Sequence, residues 1–113
     1  MSRLQTIGLA ALTTLLFSCK SPSPQEVQSL AECLRDSGAT LYGTSWCGVC
    51  DQQKELFGDS FAVIPYIDCE NTPEKCEHPS IRGYPTWILG NGKMLLGGRS
   101  LKRLAEATGC EYE

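Results

Sequence analysis

Two cysteines stand two residues apart in Trp46-Cys47-Gly48-Val49-Cys50. A cysteine acts as nucleophile or metal ligand only as its thiolate, so the pair offers two chemistries, thiol–disulfide exchange or metal ligation. The flanking sequence separates them. Ala39 to Gly43 is a short strand candidate, Thr44-Ser45-Trp46 a loop, and Cys47 to Phe57 a helix stopped by Gly58. Cys47 therefore falls at a helix N-terminus, where unpaired N–H groups and about half a positive charge favour an anion. At an ordinary pKa of ~8.5 about 3% of a thiol is ionised at pH 7; at ~6 the fraction is about 90%. Cys50 lies one helical turn along, within reach of a mixed disulfide. Cys47 is read as the nucleophile and Cys50 as the resolving cysteine.

Ligation is the competing reading. Cys69, Cys76 and His78 could complete a zinc set. Zinc knuckles, however, hold their cysteines on turns as two similar pairs, whereas Cys69 and Cys76 enclose six residues. A Trp directly before the first cysteine has no part in zinc binding. The expectation is no metal, with His78 solvated in a polar loop. A third reading makes Cys47–Cys50 an inert structural bridge.

The chain has seven cysteines in 113 residues. Cys69 and Cys76 are expected to form a disulfide closing a small loop, worth roughly 2–3 kcal/mol by chain entropy; a second redox relay pair is the alternative. Cys33 and Cys110 are left over. Their pairing would tie the first helix to the C-terminus, but with Cys47–Cys50 fixed, three connectivities stay open.

Composition narrows the classes further. The chain is 42% hydrophobic and 20% charged, with net charge -3. That supports one compact domain and argues against both disorder and nucleic-acid binding, which needs a basic surface. The N-terminus reads as an address. Arg3 precedes an uncharged run from Ile7 to Phe17, too short for a bilayer span of ~20 residues and typical of a secretory signal over residues 1–18. Leu16-Phe17-Ser18-Cys19 resembles a bacterial lipobox, which implies that Cys19 becomes the lipidated N-terminus. The remaining cysteines are then even in number, suited to an oxidising compartment. Lys20 in place of the Asp that retains lipoproteins at the inner membrane implies an outer membrane, where the cell has one. Residues 19–24 form a Ser/Pro-rich linker. Lys20 to Pro24 reaches at most about 17 Å, so the domain over 25–113 would sit close to the bilayer.

The elements that must position the pair follow from pattern. Ser23 caps a helix with Pro24 first and Glu26 completing a capping box. Val27, Leu30, Ala31 and Leu34 form one apolar stripe, Cys33 lies off it, and Gly38 stops the helix. Phe61 to Ile67 is an apolar strand, with Pro65 demanding a sheet edge. Asn71 to Arg82 is irregular, with a helical turn near Pro73 to Cys76. Thr86–Leu89 and Lys93–Leu96 flank Gly90-Asn91-Gly92 as a hairpin. Trp87 is assigned to the core. Gly97-Gly98 ends the strand, and Ser100 caps a last helix with Leu101, Leu104, Ala105 and Thr108 on one face, ended by Gly109. The order α-β-α-β-loop-β-β-α implies a parallel pair joined through a helix, then antiparallel strands. The fold class is α/β, one domain with a mixed four-stranded sheet and helices on both faces.

At this point a resemblance is plain. Trp46-Cys47-x-x-Cys50 after a strand, with Gly83-Tyr84-Pro85-Thr86 before the next, resembles the thioredoxin superfamily. The resemblance implies a cis peptide at Pro85 beside the redox pair. It also implies that Trp46, Tyr84 and Pro85 contact substrate, the Tyr84 backbone pairing with an extended segment by β-addition. More narrowly, Tyr42-Gly43-x-x-Trp46-Cys47-x-x-Cys50-x-x-Gln53-Lys54-Glu55-Leu56-Phe57-Gly58, with Tyr66-Ile67-x-Cys69 and Gly83-Tyr84-Pro85-Thr86-Trp87, is similar to the thioredoxin-like domain fused to bacterial homologues of vitamin K epoxide reductase. There the domain exchanges disulfides with a membrane-embedded, quinone-linked part, which here is expected to be a separate protein. Two departures leave the direction of electron flow open. Leu41 stands where thioredoxins carry a buried acid, and Gly48-Val49 is neither the thioredoxin nor the strong-oxidant dipeptide.

The function expected from these readings is a monomeric, lipid-anchored thiol–disulfide oxidoreductase acting on protein thiols and disulfides, with a slight lean to oxidation. It needs no cofactor, because the electrons travel in the thiols. The alternative is a redox-inert peptide-binding module of the same fold.

Overall fold

The computed structural model describes Gly8 and residues 21–113. The expectations on residues 1–18, Cys19 and Lys20 lie outside that part, apart from Gly8. Helix α1 spans Pro24–Asp36. It starts where it does because the Ser23 hydroxyl accepts the Glu26 N–H at 3.2 Å and Pro24 needs no donor. Val27, Leu30, Ala31 and Leu34 all turn inward. Gly38 leaves the helix at φ +88°, a conformation only glycine adopts without strain.

Strand β1 is Thr40–Gly43, and helix α2 is Gly48–Phe57. Beyond α2 the structure departs from the pattern. The segment expected to be one strand from Phe61 to Ile67 instead opens in a 3₁₀ helix, Gly58–Val63, and only Tyr66–Asp68 forms strand β2. The apolar run is continuous, so periodicity could not separate strand from tight helix. The helical winding brings Phe61 within 6.2 Å of Phe57 and 5.6 Å of Tyr66, ring centroid to centroid, a cluster that an extended strand would split across two faces. Pro65 stands just outside β2, and its carbonyl accepts the Leu41 N–H at 2.9 Å, so its missing donor interrupts no ladder.

A 3₁₀ turn over Pro73–Cys76 follows. Strands β3 (Thr86–Ile88) and β4 (Met94–Leu96) make the expected hairpin, closed by Leu89 N–H to Lys93 O at 2.9 Å. Helix α3, Leu101–Thr108, is capped by Ser100 Oγ on the Arg103 N–H and ends at Gly109, φ +78°. The sheet order is β2-β1-β3-β4. β1 pairs with β2 in parallel (Leu41 opposite Tyr66) and with β3 antiparallel (Leu41 opposite Trp87). This is the mixed α/β sheet of a thioredoxin-like domain, and β1 at its centre carries the chain directly into the Cys47 loop.

The core gathers Leu30, Leu34, Leu41, Trp87 and Leu104, all with no exposed surface, together with Phe57 and Ile64. Two disulfides lie away from the Cys47 pair. Cys33 of α1 is bonded to Cys110 behind α3, Cα–Cα 6.0 Å, and Cys69 is bonded to Cys76, Cα–Cα 5.7 Å.

Candidate active site

The end of β1, the start of α2 and the loop before β3 converge on the Cys47–Cys50 disulfide, whose Cα atoms are 5.2 Å apart. Cys47 is the N-cap of α2. Its backbone is extended, its carbonyl accepts the Asp51 N–H at 3.2 Å, and its Sγ accepts the Cys50 N–H at 3.1 Å. A sulfur therefore sits where Ser or Asp would usually cap a helix. The amide that caps it in the disulfide is available to a thiolate at the same place. The two cysteines are not equivalent: Cys50 is fully buried, whereas Cys47 keeps 7% of its surface exposed.

Trp46, directly before Cys47, is 71% exposed. A large apolar ring thus stands in solvent next to the disulfide. Its ring meets Tyr84 edge to face at 6.2 Å, joining the Cys47 loop to the loop before β3. The Tyr84-Pro85 bond is cis, Pro85 is buried, and its carbonyl accepts the Gly97 N–H at 2.7 Å. The residues read from sequence as Cys47, Cys50, Trp46, Tyr84 and Pro85 thus come together on one end of the sheet.

His78 is exposed and its Nδ1 accepts the Ser80 N–H at 3.1 Å. Among the described residues there is no cluster of three or more Cys, His, Asp or Glu placed to hold a metal. Cys69 and Cys76, the second half of the zinc alternative, are bonded to each other.

The sequence reading missed two supports. Gln53, on the inner face of α2 and 1% exposed, accepts the Trp87 indole N–H at 3.2 Å and the Arg99 N–H at 2.7 Å on Oε1, and donates to the Arg99 carbonyl at 3.0 Å. One amide thereby locks α2 to β3 and to the Gly97–Ser100 loop. A polar residue facing inward from a helix carrying the cysteine pair was the available signal. The second is Gly43: a Cβ there would lie 2.9 Å from the Tyr66 hydroxyl and 3.1 Å from Cys50 Sγ. Only a glycine lets the buried sulfur and the end of β1 share that space. Leu41, the apolar residue at the middle of β1, is fully buried.

Fold and site together define the class: a thioredoxin-like domain with a disulfide at the head of its second helix and a cis-proline loop alongside. No family model matches the chain. It is similar to thiol-disulfide oxidoreductase LTO1 of Arabidopsis thaliana, 40% identical over 102 residues, which take in 82% of this chain and 27% of the relative. The chain thus spans about a quarter of that relative's length. The similarity supports a thioredoxin-like oxidoreductase family for the chain.

Proposed function

We propose that the chain is an extracytoplasmic thiol–disulfide oxidoreductase that exchanges disulfides with protein cysteines through Cys47 and Cys50. The observation that carries this reading is the asymmetry of the pair: Cys47, its Sγ capped by a helix-terminal N–H, keeps a small part of its surface exposed, while Cys50 is fully buried. In the oxidising direction a substrate thiolate attacks Cys47 Sγ. A substrate–Cys47 bond forms, the Cys47–Cys50 bond breaks, and its electron pair leaves on Cys50 Sγ. A second substrate thiolate then attacks the substrate sulfur of the mixed disulfide, releasing Cys47 as thiolate and the substrate as disulfide. The enzyme has gained the two electrons that the substrate has lost. Reduction of a substrate is the same sequence reversed, with Cys50 resolving.

Trp46, Tyr84 and Pro85 are the proposed substrate surface, with an extended substrate segment laid along the Tyr84 backbone. Cys33–Cys110 and Cys69–Cys76 are proposed as structural bridges. Residues 1–18 are proposed as a signal peptide, Cys19 as the lipidated N-terminus and 19–24 as a tether to the cell envelope. That tether would hold the domain near a separate membrane partner, for which a quinone-linked homologue of vitamin K epoxide reductase is the candidate. The proposed direction is oxidation, since Leu41 supplies no base to activate Cys50 for reduction of substrates.

The test is partner trapping. A Cys50→Ser protein accumulates mixed disulfides through Cys47 in cell-envelope extracts, and Cys47→Ser loses exchange. Undiminished exchange by Cys47→Ser refutes the mechanism.

A further inference from the structure

The Tyr66 hydroxyl is buried and has no hydrogen-bond partner among the described residues. Unpaired buried hydroxyls are disfavoured, so each one in a native structure asks for a reason. The ring itself is held firmly. It meets Phe61 edge to face at 5.6 Å, and the Lys54 ammonium lies 4.1 Å from its centroid, a favourable cation–π distance. The hydroxyl is therefore aimed, and its surroundings say at what. Tyr66 Oη and Cys50 Sγ lie 2.9 Å and 3.1 Å from one point, the place a Cβ on Gly43 would occupy. The orphaned donor and the buried sulfur border the same small gap at the end of β1.

We propose that Tyr66 is a positioning residue for Cys50, its hydroxyl donating a hydrogen bond to the Cys50 sulfur once the disulfide opens. This rests on the exchange chemistry proposed above. In the disulfide, Cys50 Sγ is a weak, uncharged acceptor, and the hydroxyl goes unsatisfied. When a substrate thiolate attacks Cys47, the electron pair of the Cys47–Cys50 bond leaves on Cys50 Sγ. That anion is a strong acceptor for an O–H donor. The proton stays on Tyr66; only a hydrogen bond forms. The phenol thus favours the reduced pair over the oxidised one and makes the disulfide a stronger oxidant. It does so where the neighbouring β1 position, Leu41, contributes no polar group.

The test equilibrates the Cys47–Cys50 couple with glutathione redox buffers and reads the alkylated and disulfide forms by mass, for the natural protein, Tyr66→Phe and Phe61→Leu. Phe61→Leu disturbs the same ring cluster and keeps the hydroxyl. Tyr66→Phe is expected to move the equilibrium about fivefold toward the disulfide, the size of one ordinary hydrogen bond to the resting Cys50 thiol, with Phe61→Leu within about twofold of the natural protein. Thermal melts of the two redox forms give a readout that a packing role would not move. Tyr66→Phe should melt higher than the natural protein when oxidised, having lost an unpaired hydroxyl, and no higher when reduced. The proposal is overturned if Tyr66→Phe leaves the equilibrium within twofold, or if Phe61→Leu shifts it equally. A natural protein that fails to exchange with any reduced protein substrate overturns the functional reading instead, since the glutathione equilibrium is measured without a substrate.

Discussion

Gln53 and Trp87 are hydrogen-bonded inside the molecule, indole N–H to Oε1 at 3.2 Å, and the same oxygen takes the Arg99 N–H at 2.7 Å. Helix α2, which carries the cysteine pair, is thereby pinned to β3 and to the loop over Gly97–Ser100. Gln53→Met keeps the volume and removes all three hydrogen bonds, leaving the buried Trp87 N–H without its acceptor and Arg99 without its Gln53 partner. The expected cost is about 2–4 kcal/mol, read as a lower denaturant midpoint at unchanged slope. A midpoint within error of the natural protein would show that the clamp contributes nothing.

The two outlying disulfides should differ in what they contribute. Cys33 and Cys110 are 77 residues apart in sequence and Cys69 and Cys76 only 7. Loop-closure entropy gives about 4.5 kcal/mol for the first and about 2.5 kcal/mol for the second. The paired variant Cys33→Ser/Cys110→Ser is therefore expected to melt lower than Cys69→Ser/Cys76→Ser, with the Cys47–Cys50 couple still exchanging in both. Calorimetry of the two checks the order.

Gly43→Ala places a methyl against both the Tyr66 hydroxyl and the Cys50 sulfur. Overpacking of this kind costs typically 1–3 kcal/mol, and the variant should lose stability in both redox forms. Equal stability to the natural protein would mean that the end of β1 can shift aside.

Trp46 stands 71% exposed at the rim of the site. Trp46→Ala should leave the glutathione equilibrium of the pair nearly unchanged and lower kcat/KM toward a folded protein substrate by roughly tenfold, the loss of one aromatic anchor. Steady-state assays with a protein and with a small dithiol, run side by side, separate the two effects.

Much of this arrangement was written in local chemistry. Ser23 and Ser100 cap their helices, Gly38, Gly58 and Gly109 end them, and the stripe of Val27, Leu30, Ala31 and Leu34 faces the core. Each of these depends on neighbours within one helical turn. The stretch after Gly58 was not legible in the same way. Its apolar residues satisfy a strand and a tight helix equally, and the choice falls to the contacts of Phe61 with Phe57 and Tyr66. The Gln53 clamp and the gap shared by Gly43, Cys50 and Tyr66 join residues far apart in sequence, so no spacing rule could announce them. The cysteine pair could be read because its chemistry needs only a strand, a turn and a helix start, all local.

Exchange through Cys47 requires its sulfur to be stabilised as an anion by the amides at the head of α2. The direct measurement is the pH dependence of Cys47 alkylation in the reduced protein, followed residue by residue by mass. A midpoint well below the ~8.5 of an ordinary thiol, with Cys47 alkylated far faster than Cys50, is the expected result. A midpoint at or above ~8.5, or Cys50 reacting first, would contradict it.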